Sequence, residues 1–216
     1  DALPEDCHLI EKLMEAMEQN EKIGAAYARQ LPRENCRLQE QYTRQFNYPE
    51  KSRVKWLEDL PELGIKTYFC SNVCAMYKRE LYLQLGGFVK KTIFNEDMIF
   101  AGELIQKGYG VAYAAEAKVV HSHNYSAIQQ FHRNFDLAVS QADHPEVFAG
   151  IRSEGEGIRL VKKTAGWLCR QGKPWLVIQL VWQSGWKYLG YLLGKKYRRL
   201  PRWVIDRCTM NPKYWE

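Results

Sequence analysis

Near the start of the chain apolar residues recur at helical spacing, with Leu9, Ile10, Leu13, Met14 and Met17 marking one side of residues 5–19. Pro4, Glu5 and Asp6 suit the opening turn of that helix, where proline has no hydrogen bond to lose and acids meet the positive end of the dipole. Residues 23–27 form a short apolar run that predicts a buried strand. Residues 30–49 are polar, lack apolar periodicity and read as a loop over an active face. Residues 67–77 gather Tyr68, Phe69, Val73, Met76 and Tyr77 around small residues, which predicts a strand; 78–85 turn helical and stop at Gly86-Gly87-Phe88. Asn95 can cap a further helix with Glu96 and Asp97 in its first turn, Ile99, Ala101, Leu104 and Ile105 on its buried side and Gly108 at its end. Residues 111–120 predict a strand running into His121-Ser122-His123. Residues 126–140 predict a helix with Ile128, Phe131, Phe135 and Ala138 on one face and Gln129, His132, Arg133 and Asp136 on the other. Helices alternating with strands argue for an α/β layered domain.

Composition narrows this picture. The 216 residues are 46% hydrophobic, enough for one sizeable core and an appendage but not for two full enzymatic domains. The division falls after residue 150: residues 151–216 hold 14 Lys and Arg against 4 Asp and Glu, so the tail is +10 and the body −4. Six of the seven Trp lie in that tail, and a basic segment rich in Trp meets either an anionic membrane or a nucleic acid. Residues 175–194 are almost wholly apolar apart from a stripe of Gln179, Gln183 and Lys187, followed by Lys195, Lys196, Arg198, Arg199 and Arg202. That pattern predicts an amphipathic helix lying in a membrane interface rather than crossing the bilayer. The six cysteines lack the spacing of a zinc site, which fits a reduced, cytosolic setting. Cys70 and Cys74 would share one strand face as small buried apolar residues. The opening Asp1-Ala2-Leu3-Pro4 has no basic or apolar region of a signal peptide, as expected of a chain that begins inside a larger protein.

Three clusters could carry chemistry. Glu96 and Asp97 at a helix start are held toward the ionised form, and an ionised carboxylate can accept a proton; ordinary first-turn acidity is the plainer alternative. His121 and His123 lie about 7 Å apart on one side of a strand end and could face one cleft, as a hydrogen-bonded rim or as metal ligands. Asp1 could add a hard oxygen donor suited to Mg²⁺ or Mn²⁺. Gln130 and Arg133 place an amide and a guanidinium on adjacent turns, as a clamp for phosphate or sugar hydroxyls or simply as a solvated face.

The ordered set Phe94-Asn95-Glu96-Asp97-Met98, Gly108-Tyr109-Gly110 and His121-Ser122-His123-Asn124-Tyr125-Ser126, with Asp1-Ala2-Leu3-Pro4 upstream, resembles the late portion of family 2 glycosyltransferases, especially rhamnosyltransferase-like members. The resemblance runs from residue 1 to about residue 197. It implies part of a GT-A-like mixed sheet flanked by helices, without the N-terminal half that binds the nucleotide, followed by a helical tail. It further implies Asp97 as catalytic base with Glu96 in support, Asp1 with His121 or His123 facing the metal and diphosphate, and Asn72, Gly87, Gln130 and Arg133 in substrate binding. The stretch from Gln130 to Arg133 resembles a shortened acceptor clamp in which Asn134 stands where the family has Trp. The expected activity is inverting, metal-dependent transfer of a hexose, rhamnose among them, from a nucleotide sugar to a lipid-linked or cell-surface polysaccharide acceptor. The expected location is cytoplasmic, at the inner face of the cell membrane, with no nucleic-acid partner. A non-catalytic membrane-binding fragment and a basic nucleic-acid binder are the competing classes; consumption of nucleotide sugar and salt-sensitive DNA or RNA binding distinguish them.

Overall fold

The computed structural model describes residues 2–151 and 154–216, and within these the chain forms two compact units. Of the described residues, the first comprises 2–90, 96–123 and 151; the second comprises 91–95, 124–150 and 154–216.

The first unit is built on a mixed sheet. Strand β1 (Leu3–Pro4) is followed by α1 (Leu9–Glu18), β2 (Ile23–Leu31), α2 (Leu38–Asn47), β3 (Arg53–Lys55), α3 (Leu60–Leu63), β4 (Ala75–Tyr77), α4 (Arg79–Gln84), α5 (Glu96–Gln106) and β5 (Gly110–Val120). The strand order is β1-β5-β2-β4, with β3 also paired to β5. The central pair β2 and β5 is parallel, from Ile23 beside Gly110 to Leu31 beside Val120, while β1, β3 and β4 join it antiparallel. Both central strands are rich in Ala and buried along most of their length, as expected of strands covered on two faces. On one face α1 packs Leu9, Leu13, Ala16 and Met17 against Ala26, Ala28, Ala112, Ala114 and Val119. Elsewhere Gly24 admits Leu104 of α5 so closely that a Cβ there would lie 2.8 Å from its methyl group.

Several expectations change at this level. Helix α1 begins at Leu9 rather than in the Pro4 turn, because Leu3 and Pro4 pair with Val120 and Val119; Ile10 and Met14 are exposed. The strand expected over 23–27 extends to Leu31. The expected loop at 30–49 contains α2, whose polar surface is laced by the Glu40–Arg44 ion pair one turn apart, 2.7 Å. The strand expected over 67–77 shrinks to β4. The segment before it turns as a 3-10 helix over Gly64–Tyr68, and the carbonyls of Lys66 and Phe69 accept hydrogen bonds from the buried Lys55 ammonium. Neither Cys70 nor Cys74 is therefore on a strand.

The second unit is helical: α6 (Ala127–Asp143), α7 (Pro145–Phe148), α8 (Glu154–Arg170), α9 (Leu176–Lys195) and α10 (Arg202–Cys208). Ser126 and Gln129 form a reciprocal capping box at the start of α6. Phe131, Phe135 and Val139 of α6 pack with Ile205 and Cys208 of α10 and with Trp186 and Leu193 of α9. Helix α9 approaches α6 at two glycines: a Cβ on Gly190 would lie 2.2 Å from the Phe131 carbonyl oxygen, and one on Gly194 2.3 Å from that of Phe135. Among the described residues no helix is long and apolar enough to cross a membrane.

Candidate active site

At the head of α5 two acids share a brace. Asn95, immediately before the helix, has φ of 65°, a left-handed conformation that Asn tolerates better than most residues. The Met98 N–H donates to Asp97 Oδ1 at 2.8 Å and the Asn72 N–H to Asp97 Oδ2 at 3.0 Å. Asn72 also donates its side-chain amide to Glu96 Oε1 at 3.2 Å and accepts from the Tyr77 hydroxyl at 2.6 Å. One loop residue thus holds both carboxylates, and β4 holds that residue. Burial pushes the Asp97 carboxyl above the usual carboxylate range; the Glu96 charge adds to the shift, and the two donated N–H bonds oppose it without cancelling it. Among the described residues Asp97 has no cation paired with it.

The second cluster is at the carboxyl ends of β2 and β5, the place where open α/β sheets bind ligands. The His121 N–H continues the pairing by donating to the Leu31 carbonyl at 2.9 Å, and the Arg33 N–H donates to Ser122 Oγ at 3.1 Å. His121 is buried, and its ring meets that of His123 edge to face at 4.5 Å. Burial, then the neighbouring His123, Arg44 and Arg33, lowers the His121 imidazole to about 4, which leaves it neutral at ordinary pH. Gln30, the next-to-last residue of β2, is buried; it donates to Ser71 Oγ at 2.8 Å and accepts from Arg44. Ser71 precedes Asn72, so a polar route runs from Asp97 through Asn72, Ser71 and Gln30 to Arg44, whose charge acts on His121.

The remaining sequence candidates are distributed as follows. Asp1 lies outside the described residues. Gly87 has φ of 76°, and a Cβ there would meet the Tyr82 ring at 2.9 Å, which gives this glycine a packing reason. Gln130 and Arg133 belong to the second unit. There the Gln130 carbonyl accepts from Asn134 at 2.7 Å, and the Arg133 guanidinium stacks over Phe94 at 4.6 Å and Tyr125 at 5.6 Å. Among the described residues no group of three His, Cys, Asp or Glu gathers to hold a metal. Gln30, Arg44, Ser71 and Tyr77 escaped sequence reasoning. Only Arg44 had a local signal, its spacing of four from Glu40.

A carboxylate held at a helix head beside the ends of a mixed α/β sheet fits a group-transfer enzyme, and comparison with known proteins makes the class specific. No family model matches the chain. It is 38% identical over 218 residues to the O-antigen chain rhamnosyltransferase WbaN of Salmonella anatum, a match covering 100% of this chain and 68% of that protein. It is 41% identical over 196 residues to the O-antigen chain rhamnosyltransferase RfbN of Salmonella typhimurium (strain LT2), covering 89% of this chain and 62% of that protein. The chain belongs to this rhamnosyltransferase family and so to the glycosyltransferases, and it spans about two thirds of the length of these relatives.

Proposed function

We propose that the chain provides the catalytic, acceptor-side part of a GT-A-type, family 2 enzyme that transfers rhamnose from a nucleotide sugar to an O-antigen or related lipid-linked polysaccharide acceptor, with inversion. The observation that carries the reading is the Asp97 carboxylate, braced by Asn72 beside Glu96 and unpaired with any described cation. Its raised affinity for a proton suits a general base. Asp97 takes the proton of the acceptor hydroxyl; the oxygen lone pair forms the new bond at the anomeric carbon as the bond to the diphosphate oxygen breaks, its electrons leaving with the nucleoside diphosphate. Glu96, hydrogen-bonded to the same Asn72, supports the acceptor side. The Arg33 and Arg44 charges acting on His121 favour a diphosphate at the ends of β2 and β5.

Dependence on Mg²⁺ or Mn²⁺ belongs to the same proposal. His121, kept neutral, has the form of imidazole that ligates a cation. The described residues do not complete a coordination shell, so further ligands would come from donor phosphate oxygens and, by the resemblance, Asp1. When bound, such an ion offsets charge on the leaving diphosphate. The test is made in the full-length enzyme with its nucleotide sugar. Asp97→Asn should lower transfer by about 10³-fold while donor binding persists, and chelation with EDTA should abolish activity that added Mn²⁺ restores. Undiminished transfer by Asp97→Asn would remove Asp97 from the mechanism; undiminished transfer in EDTA would remove the metal alone.

A further inference from the structure

Helix α9 has two apolar sides, and only one of them is covered. Gly190 and Gly194 face the backbone of α6, which leaves no room for side chains there and fixes which side of α9 turns inward within its unit. Away from that seam Ile178, Val181, Trp182, Tyr188, Leu189 and Leu192 recur at spacings of three and four and are exposed, Ile178 by 77% and Trp182 by 62%. Of the polar stripe expected from the sequence, Gln183 and Lys187 are half-buried and only Gln179, near the start of the helix, is exposed. A contiguous exposed apolar stripe of this length is uncommon on a free soluble surface and marks an interaction site.

Charge identifies the partner. From Gly157 to Ile205 not one Asp or Glu occurs, against eleven Lys and Arg. Basic residues frame the stripe at both ends: Arg170 precedes α9, and Lys195, Lys196 and Arg199 continue the outward spacing beyond Leu192, all of them exposed. On α10 the exposed Trp203 lies under the Arg207 guanidinium at 5.3 Å, an aromatic–cation pair suited to the headgroup level. A nucleic acid would match the cations but not the exposed Ile178, Val181, Leu189 and Leu192 between them, and a second copy of so basic a face would repel its twin. We infer that the outward side of α9 docks in the plane of an anionic phospholipid surface, with the apolar stripe entering the acyl boundary and the flanking Lys and Arg meeting headgroups. This inference stands apart from the role of Asp97, and either can fail without the other.

The test mixes the full chain with vesicles of phosphatidylcholine alone or of phosphatidylcholine with phosphatidylglycerol, reading co-flotation and Trp emission. The expected result is binding to the anionic vesicles, weaker binding to the neutral ones, and a blue shift of Trp emission on binding. Trp182→Ser and, separately, Leu189→Ser should weaken vesicle binding with the thermal melt unchanged, since both side chains are exposed. Lys195→Glu combined with Lys196→Glu should lower anionic binding roughly tenfold or more, and more so at low salt. Binding to neither vesicle type would overturn the inference. So would vesicle binding insensitive to both sets of variants, salt-sensitive DNA or RNA binding without vesicle binding, or self-association through the stripe in its place.

Discussion

Asp97 in the first unit and Asp136 in the second are both acids that burial pushes above the usual carboxylate range, yet they are partnered in different ways. Asp136 is 1% exposed. It accepts from Thr209 Oγ1 at 2.7 Å, from the Met210 N–H at 3.0 Å and from the Asn211 amide at 2.9 Å. All three donors come from the segment after α10, so the carboxylate ties that segment to α6. Asp97 accepts from two backbone N–H groups, is only half-buried and has a second carboxylate as its neighbour. Burial and a raised proton affinity are therefore common to an acid that ties two segments together and to the acid proposed as the base. What separates them is whether the donors saturate the group and whether a like charge has been left beside it.

The largest expected effect breaks the pair apart. Asp97→Asn should lower the turnover of the full-length enzyme by about 10³-fold, within the range that general-base removal produces, and leave the thermal midpoint nearly unchanged. Asp136→Ala should do the reverse. It strands the buried Thr209 hydroxyl and removes the acceptor that ties the Met210 N–H and the exposed Asn211 amide to α6, at a cost of about 1 to 3 kcal/mol read by denaturant unfolding, while the fraction that stays folded keeps its turnover. A stable but inactive Asp136→Ala, or an unfolded Asp97→Asn, would reverse the assignments.

A smaller effect sharpens the comparison through pH. A base must be ionised, so transfer is lost as pH falls through the Asp97 pKa, and because that pKa is raised the acid limb of kcat/KM should lie above the usual carboxylate range. The Glu96 charge contributes to the raised value. Glu96→Gln should therefore move the limb to lower pH while transfer persists at neutral pH. A limb that stays in place would show that burial alone sets the proton affinity of Asp97.

How much of this could be read from the residues follows from the range of the interactions involved. Helix α5, with its acids at the head and Gly108 at its end, and β5 running into His121 were legible, because punctuation and periodicity are local signals. Helix α2 was not, since its surface is polar on most sides and held by the Glu40–Arg44 pair rather than by an apolar stripe. The Asn72 brace was invisible for a different reason: it joins residues 24 and 25 positions apart, and nothing in the neighbourhood of Asn72 announces its partners. In the second unit the apolar length of α9 was plain. Which of its sides turns outward was not, because that is decided by where Gly190 and Gly194 meet α6.

The same helix offers the mildest prediction, one that isolates packing from chemistry. Gly185 lies in the interior of α9, and a Cβ there would meet nothing within 4 Å, so Gly185→Ala trades backbone freedom in the unfolded chain for a better helix former without a clash. Stability should rise by about 0.5 to 1 kcal/mol. Five residues on, the same change at Gly190 forces a methyl group into the Phe131 carbonyl, and the helix must shift or the crossing must open, at a cost of about 1 to 3 kcal/mol. Opposite signs from one substitution type in one helix, measured by chemical denaturation of the two variants, would establish that the seam against α6 fixes the outward side of α9. Equal signs would mean that the crossing is loose and that the exposed stripe has no fixed direction.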